Sequence, residues 1–78
     1  MGTAPIRRKI YVVGESTSAV TYTCEAAVGT PLGEESWSIV KTDYYGSNAY
    51  PTIGGVPVTG RRFAASDYAT LTYTALDA

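Results

Sequence analysis

The chain of 78 residues has no histidine and a single cysteine, Cys24. A lone thiol excludes a disulfide within the chain, and without imidazole there is no Cys/His zinc site. The side chain that most often moves protons near neutral pH is missing as well. Neither sign of charge is in excess: six Lys and Arg stand against seven Asp and Glu, for a net charge of −1. That balance gives no general attraction to DNA, RNA or an anionic membrane surface. No apolar run approaches the length that spans a bilayer, and the first residues lack the charged-then-apolar pattern of a secretory signal. The expectation is a chain made and folded in a cytoplasm. Ile6 stands where a myristoylation signal has Ser or Thr.

What is present is strict alternation. In Val20-Thr21-Tyr22-Thr23-Cys24-Glu25-Ala26 every second residue is apolar or aromatic, which is the mark of a strand buried on one face. Trp37-Ser38-Ile39 and Leu71-Thr72-Tyr73-Thr74 repeat it. A first strand is expected from Ile6 to Val13, with Ile6, Ile10 and Val12 on the apolar face and Arg7, Lys9 and Tyr11 on the other. Gly14 to Ser18 has the length and residues of a hairpin into the Val20 strand. Residues 28–35 carry the Gly and Pro punctuation of a loop. A third strand, about Ser36 to Thr42, turns Trp37 and Ile39 inward and Ser38 and Val40 outward.

Asp43 to Tyr50 breaks the alternation and reads as a loop or wide hairpin bearing three tyrosines. Gly54-Gly55 is a two-residue hairpin signal, because glycine accepts positive φ at both central positions. Pro51 and Pro57 each remove a ladder donor, so this hairpin is expected at an edge or beyond the main sheet. Ser66 followed by Asp67-Tyr68-Ala69 suits one capped helical turn. The fold class is therefore all-β, a small antiparallel sandwich or partly open barrel of about five to six short strands, forming one domain over residues 1–78. Residues 1–6 stand out as an N-terminal docking arm.

Below about 80 residues one core rarely supplies more than ~3–5 kcal/mol. With disulfide and zinc excluded, association with copies of itself or with a partner is the remaining source of stability. Enzyme parts are wanting. Cys24 has only Thr23 and Glu25 beside it on the strand, both pointing to the opposite face, and reads as a small buried hydrophobe. Glu34-Glu35 and Asp43 read as solvated charge. Neither Gly54-Gly55 nor Gly29 and Gly33 lead into the helix and lysine of a phosphate cradle. The expectation is no enzyme, no cofactor, no metal and no nucleic acid.

Two features suit recognition of a partner. Five of the six basic residues fall in two clusters, Arg7-Arg8-Lys9 and Arg61-Arg62, which meet on one surface if their strands are neighbours. Tyr44, Tyr45 and Tyr50, among Ser, Gly and Asn, combine rigid amphipathic area with adaptable hydrogen bonding. The candidate partner-binding residues are Tyr44, Tyr45, Tyr50, Arg7, Arg61 and Arg62. With Asp43 and Asn48 the tyrosines also suit a sugar.

The run Arg8 to Gly14, the run Thr21 to Thr30, the segment Trp37-Ser38-Ile39-Val40-Lys41, and Phe63 with Ala65 to Tyr73 resemble small, mostly uncharacterised, virion-associated β-proteins of tailed bacteriophages. Tyr50 to Pro57 departs from that pattern, in which a Trp-Ala-Asp-Gly type segment stands. The resemblance implies a structural component of a phage particle, either in the head as decoration or cement, or in the tail, connector or baseplate. It implies partners among other virion proteins or copies of the same chain, in a homo- or hetero-oligomer. A receptor- or glycan-binding module and a small inhibitor of a host protein are the alternatives.

Overall fold

In the computed structural model, which describes residues 5–76, six antiparallel strands form one open sheet. They are β1 (Ile6–Val13), β2 (Val20–Ala27), β3 (Ser38–Thr42), β4 (Asn48–Ile53), β5 (Val56–Pro57) and β6 (Tyr73–Thr74). The order is β1-β2-β3-β4-β5, with β6 paired to β4. The all-β class and the strand number agree with the sequence. Two single 3-10 turns, Ser16–Ser18 and Ala65–Asp67, are the helical content of the described residues. Met1 to Ala4 of the expected docking arm lie outside the described residues, while Ile6 is already in the sheet opposite Ala27.

β1 and β2 pair along their whole length, from Ile6 opposite Ala27 to Val13 opposite Val20. The register continues into β3, where Cys24 meets Ile39 and Glu25 meets Ser38. Gly14, at φ +90°, turns the chain out of β1, where a Cβ would meet the Ser18 carbonyl oxygen at 2.7 Å. Gly54 and Gly55, at φ +61° and +82°, make the two-residue turn from β4 to β5 that their sequence predicts.

One face of the sheet is covered. Cys24, Ala26, Trp37, Ile39, Phe63 and Ala65 form the core, with Tyr11, Tyr22, Leu32, Leu71 and Tyr73 packed around it. The cover is irregular chain, not a second sheet. Phe63 pairs with Trp37 through both backbone hydrogen bonds, at 2.8 and 3.1 Å. Ser66 N–H donates to the Leu32 carbonyl at 3.1 Å, and the Trp37 indole donates to the Pro31 carbonyl at 2.8 Å. Loop 28–35 and segment 63–71 are thus pinned over β2 and β3. Trp37 and Ile39 point inward as their alternation indicates.

β1 is turned the other way from its sequence expectation. Tyr11 packs on the core, while Ile6, Ile10 and Val12 lie on the opposite face, 52, 51 and 66% exposed. The reason is register. Odd residues of β1 lie opposite Tyr22, Cys24 and Ala26, whose inward direction is fixed by the core, and side chains directly opposite share a face. Arg7 and Lys9 tolerate the inner face because their stems pack while their charges stay wet. The Arg7 guanidinium lies 5.6 Å from the Trp37 ring centroid and donates to the Thr30 carbonyl at 3.0 Å, and the Lys9 ammonium lies 5.2 Å from the Tyr11 ring.

The Gly54-Gly55 hairpin ends the strand order, at the edge its prolines predict, and Pro51 is buried within β4. It pairs with Tyr73 of β6, and its carbonyl accepts from Val58 N–H at 2.8 Å. The N–H it lacks removes only the return bond to Val58, just past the end of β5, so the ladder loses little.

Candidate functional site

The uncovered face is built by the residues that alternate with the core. Its rows run Arg8–Glu25–Ser38, Ile10–Thr23–Val40, and Val12–Thr21–Thr42–Asn48 across β1 to β4. Arg8 Nη2 and Nε reach the same oxygen of Glu25, at 2.6 and 2.8 Å, which makes the one ion pair among the described residues. Being exposed, it adds little stability. A shallow hollow of about 250 Å³ opens between Thr23, Glu25, Ser38, Val40, Asn48 and Tyr50.

The second feature is the edge. Among the described residues β1 pairs with β2 alone. Val28 N–H donates to the Pro5 carbonyl at 3.3 Å in the same register as the ladder. In an antiparallel pair such hydrogen-bonded pairs alternate with non-bonded ones. Odd residues of β1 therefore give their N–H and C=O to β2, and Ile6, Arg8, Ile10 and Val12 present theirs at the free edge. Beyond β4 the described residues offer two short strands, Val56–Pro57, closed by proline, and Tyr73–Thr74.

The structure divides the residues singled out in the sequence. Tyr44 and Tyr45 sit exposed in the β3–β4 loop, edge to face with centroids 5.2 Å apart. Asp43 Oδ1 holds that loop by accepting from Tyr45 N–H and Ser47 N–H, both at 2.9 Å. Tyr50 is not in the loop: it is half-buried in β4 and lines the hollow. Of the first basic cluster only Arg7 lies by Trp37, while Arg8 is on the other face with Glu25 and Lys9 lies over Tyr11. Arg7 lies over Trp37, and exposed Arg61 and Arg62 precede Phe63, which pairs with Trp37. Trp37 enters β3 and the tyrosine loop leaves it, so arginines and loop tyrosines stand at opposite ends of one strand.

The titratable groups inside belong to packing. Burial pushes the Cys24 thiol up to about 11. Tyr73 is raised further, first by burial and then by Tyr22 and Cys24 nearby, while its hydroxyl donates to the Tyr68 carbonyl at 2.6 Å. Tyr11 is raised too, by burial ahead of its neighbours Cys24 and Tyr68 and against the lowering effect of Arg7. A thiol held protonated in this way is a poor nucleophile. Among the described residues no three His, Cys, Asp or Glu side chains gather to hold a metal, and no helix is long and apolar enough to cross a membrane.

The free edge is what the sequence reading missed. Its signal was present: β1 opens the meander, and Ile10 to Val13 carry no charge. Comparison with known protein families, curated proteins and solved structures returns no match for this chain.

Proposed function

We propose that this chain is a non-enzymatic structural subunit acting through protein–protein contacts, and that its setting is a phage particle. The observation that carries the first part is the free edge of β1, with Ile6, Ile10, Val12 and Val13 exposed along it beside an uncovered sheet face. Ile10 to Val13 of that edge carry no charge, and unpaired N–H and C=O groups beside exposed apolar side chains invite another strand. The setting is carried by the sequence resemblance alone. Within it, the chain decorates or cements the head or builds the tail, connector or baseplate. Its contacts are made by β1 and by Tyr44, Tyr45, Tyr50, Arg61 and Arg62, with Arg7 at the border of the Trp37 end. The partners are other virion proteins and copies of the chain, with no cofactor and no nucleic acid.

Quantitative mass spectrometry of purified particles from the encoding phage tests this. The expected result is several copies per particle; a chain abundant in the infected lysate and missing from particles overturns it. A second reading, a receptor- or glycan-binding module, draws on the exposed Tyr44–Tyr45 pair at a loop tip. It predicts binding of a sugar by the isolated chain, abolished by Tyr45→Ala.

A further inference from the structure

We infer that β1 pairs with β1 of a second copy of this chain, antiparallel about a two-fold axis through Ile10. The inference rests on the reading of the chain as an assembly subunit and names one of its partners.

The geometry leaves few registers. Pairing at the free edge must use the outward N–H and C=O groups of Ile6, Arg8, Ile10 and Val12, so even residues must oppose even residues. The turn at Gly14, φ +90°, ends the strand at Val13. Two registers then overlap β1 almost fully, one with its axis through Lys9 and one through Ile10. The first sets Lys9 directly against Lys9 of the second copy, at a non-hydrogen-bonded position where side chains stand closest. The second has no such conflict. It opposes Ile10 to Ile10, Lys9 to Tyr11, Arg8 to Val12 and Arg7 to Val13. Moving the axis further toward Val13 shortens the pairing.

The sequence of β1 is suited to this symmetry. Its three cations occupy the first half and its second half is uncharged, so two-fold pairing lays the charged half of each strand on the uncharged half of the other. Each Lys9, already near the Tyr11 ring of its own chain, stands opposite Tyr11 of the second copy and not opposite a like charge. Arg8 stays neutralised by Glu25 on the outer face. Parallel pairing would align cation with cation. The pairing is isologous, the commonest form of closed association, and it joins Ile10 and Val12 of both copies into one apolar stripe.

The test is cross-linking of the full-length chain carrying Ile10→Cys. Hydrogen-bonded antiparallel partners have Cα atoms about 5.5 Å apart, within disulfide range. Val12→Cys is the control, because its two copies would lie about 13 Å apart along the strands. Cys24 is buried and stays out of the reaction. The inference expects Ile10→Cys to form a disulfide dimer under mild oxidation about tenfold faster than Val12→Cys or more. It also expects light scattering to show a concentration-dependent dimer for the parent chain, with the dissociation constant raised about tenfold or more by Ile10→Arg, which opposes two arginines. Circular dichroism verifies that all three variants keep the sheet, as side chains exposed on the outer face allow. A parent chain monomeric to about 1 mM, a dimer untouched by Ile10→Arg, or faster linking through Val12→Cys overturns the inference. A chain present in particles that fails these tests loses only the two-fold pairing; one that passes them but is absent from particles loses only the phage setting.

Discussion

The ring of Tyr11 lies face to face with that of Tyr68, centroids 4.0 Å apart and planes 15° from parallel. One residue comes from the edge strand and the other from the segment that covers the sheet. Tyr22 leans on Tyr68 and on Tyr73, at 5.0 and 5.5 Å, so four tyrosines close the side of the core that Trp37 does not reach.

Tyr11→Ala therefore removes a half-buried ring and its stacked partner, and is expected to cost about 1–3 kcal/mol. Ile10→Ala, on the open face, is expected to cost about 0.5 kcal/mol or less in the monomer. Urea denaturation of the two variants measures the difference directly. Equal losses would mean that β1 does not face the way described.

Trp37→Ala is expected to cost about 3–5 kcal/mol. The loss includes the indole hydrogen bond to Pro31 and the cover over Cys24 and Ile39. Since a core of this size supplies about as much in total, the variant is expected to be unfolded at 25 °C by circular dichroism. Trp37→Phe, which keeps a ring and loses the N–H, should remain folded with a lower melting temperature.

Gly14 and Gly46 share nearly the same backbone angle, φ +90° and +87°, yet differ in surroundings. At Gly46 a Cβ meets nothing within 4 Å, so Gly46→Ala carries only the left-handed strain of about 1–2 kcal/mol. At Gly14 the same change also drives a Cβ onto the Ser18 carbonyl. Gly14→Ala should therefore lower the melting temperature more than Gly46→Ala, and the gap between them measures the clash.

Stability should fall in alkali. The folded chain holds the Cys24 proton up to about 11, against an ordinary value of 9.0, and those of Tyr73 and Tyr11 above 10.0. Below pH 9 both states keep these protons and nothing changes. Above it the unfolded chain releases the thiol proton while the folded chain does not, so the slope is negative. The expected loss is about 1–3 kcal/mol between pH 9 and 11. Cys24→Ala should move the onset toward pH 10, as followed by urea titration at stepped pH.

β2 and β3 were legible because their two faces differ in kind: Tyr22, Cys24 and Ala26 against Thr21, Thr23 and Glu25, then Trp37 and Ile39 against Ser38 and Val40. β1 carries the same period with the opposite outcome. Alternation tells which residues share a face and not which face is inward; that was decided by Tyr22 and Ala26 across the ladder. The edge placement of the Gly54-Gly55 hairpin followed from the lost donors of Pro51 and Pro57, while the burial of Pro51 did not, since it depends on where β5 ends. Of the candidate site, the exposure of Tyr44 and Tyr45 followed from turn chemistry. The free edge did not, since nothing in the local pattern says whether a later strand returns to pair with β1.

The cover of the sheet has a consequence for biosynthesis. Phe63 to Leu71, which hide Trp37 and Ile39, are made after β1 to β4 are complete. As the chain leaves the ribosome, the meander has a period with both faces bare and its long edge unpaired. Sheets in that condition are prone to join one another. Arg7, Arg8 and Lys9 at the front of the edge strand then act as gatekeepers against parallel, in-register joining of nascent chains, which would align cation with cation.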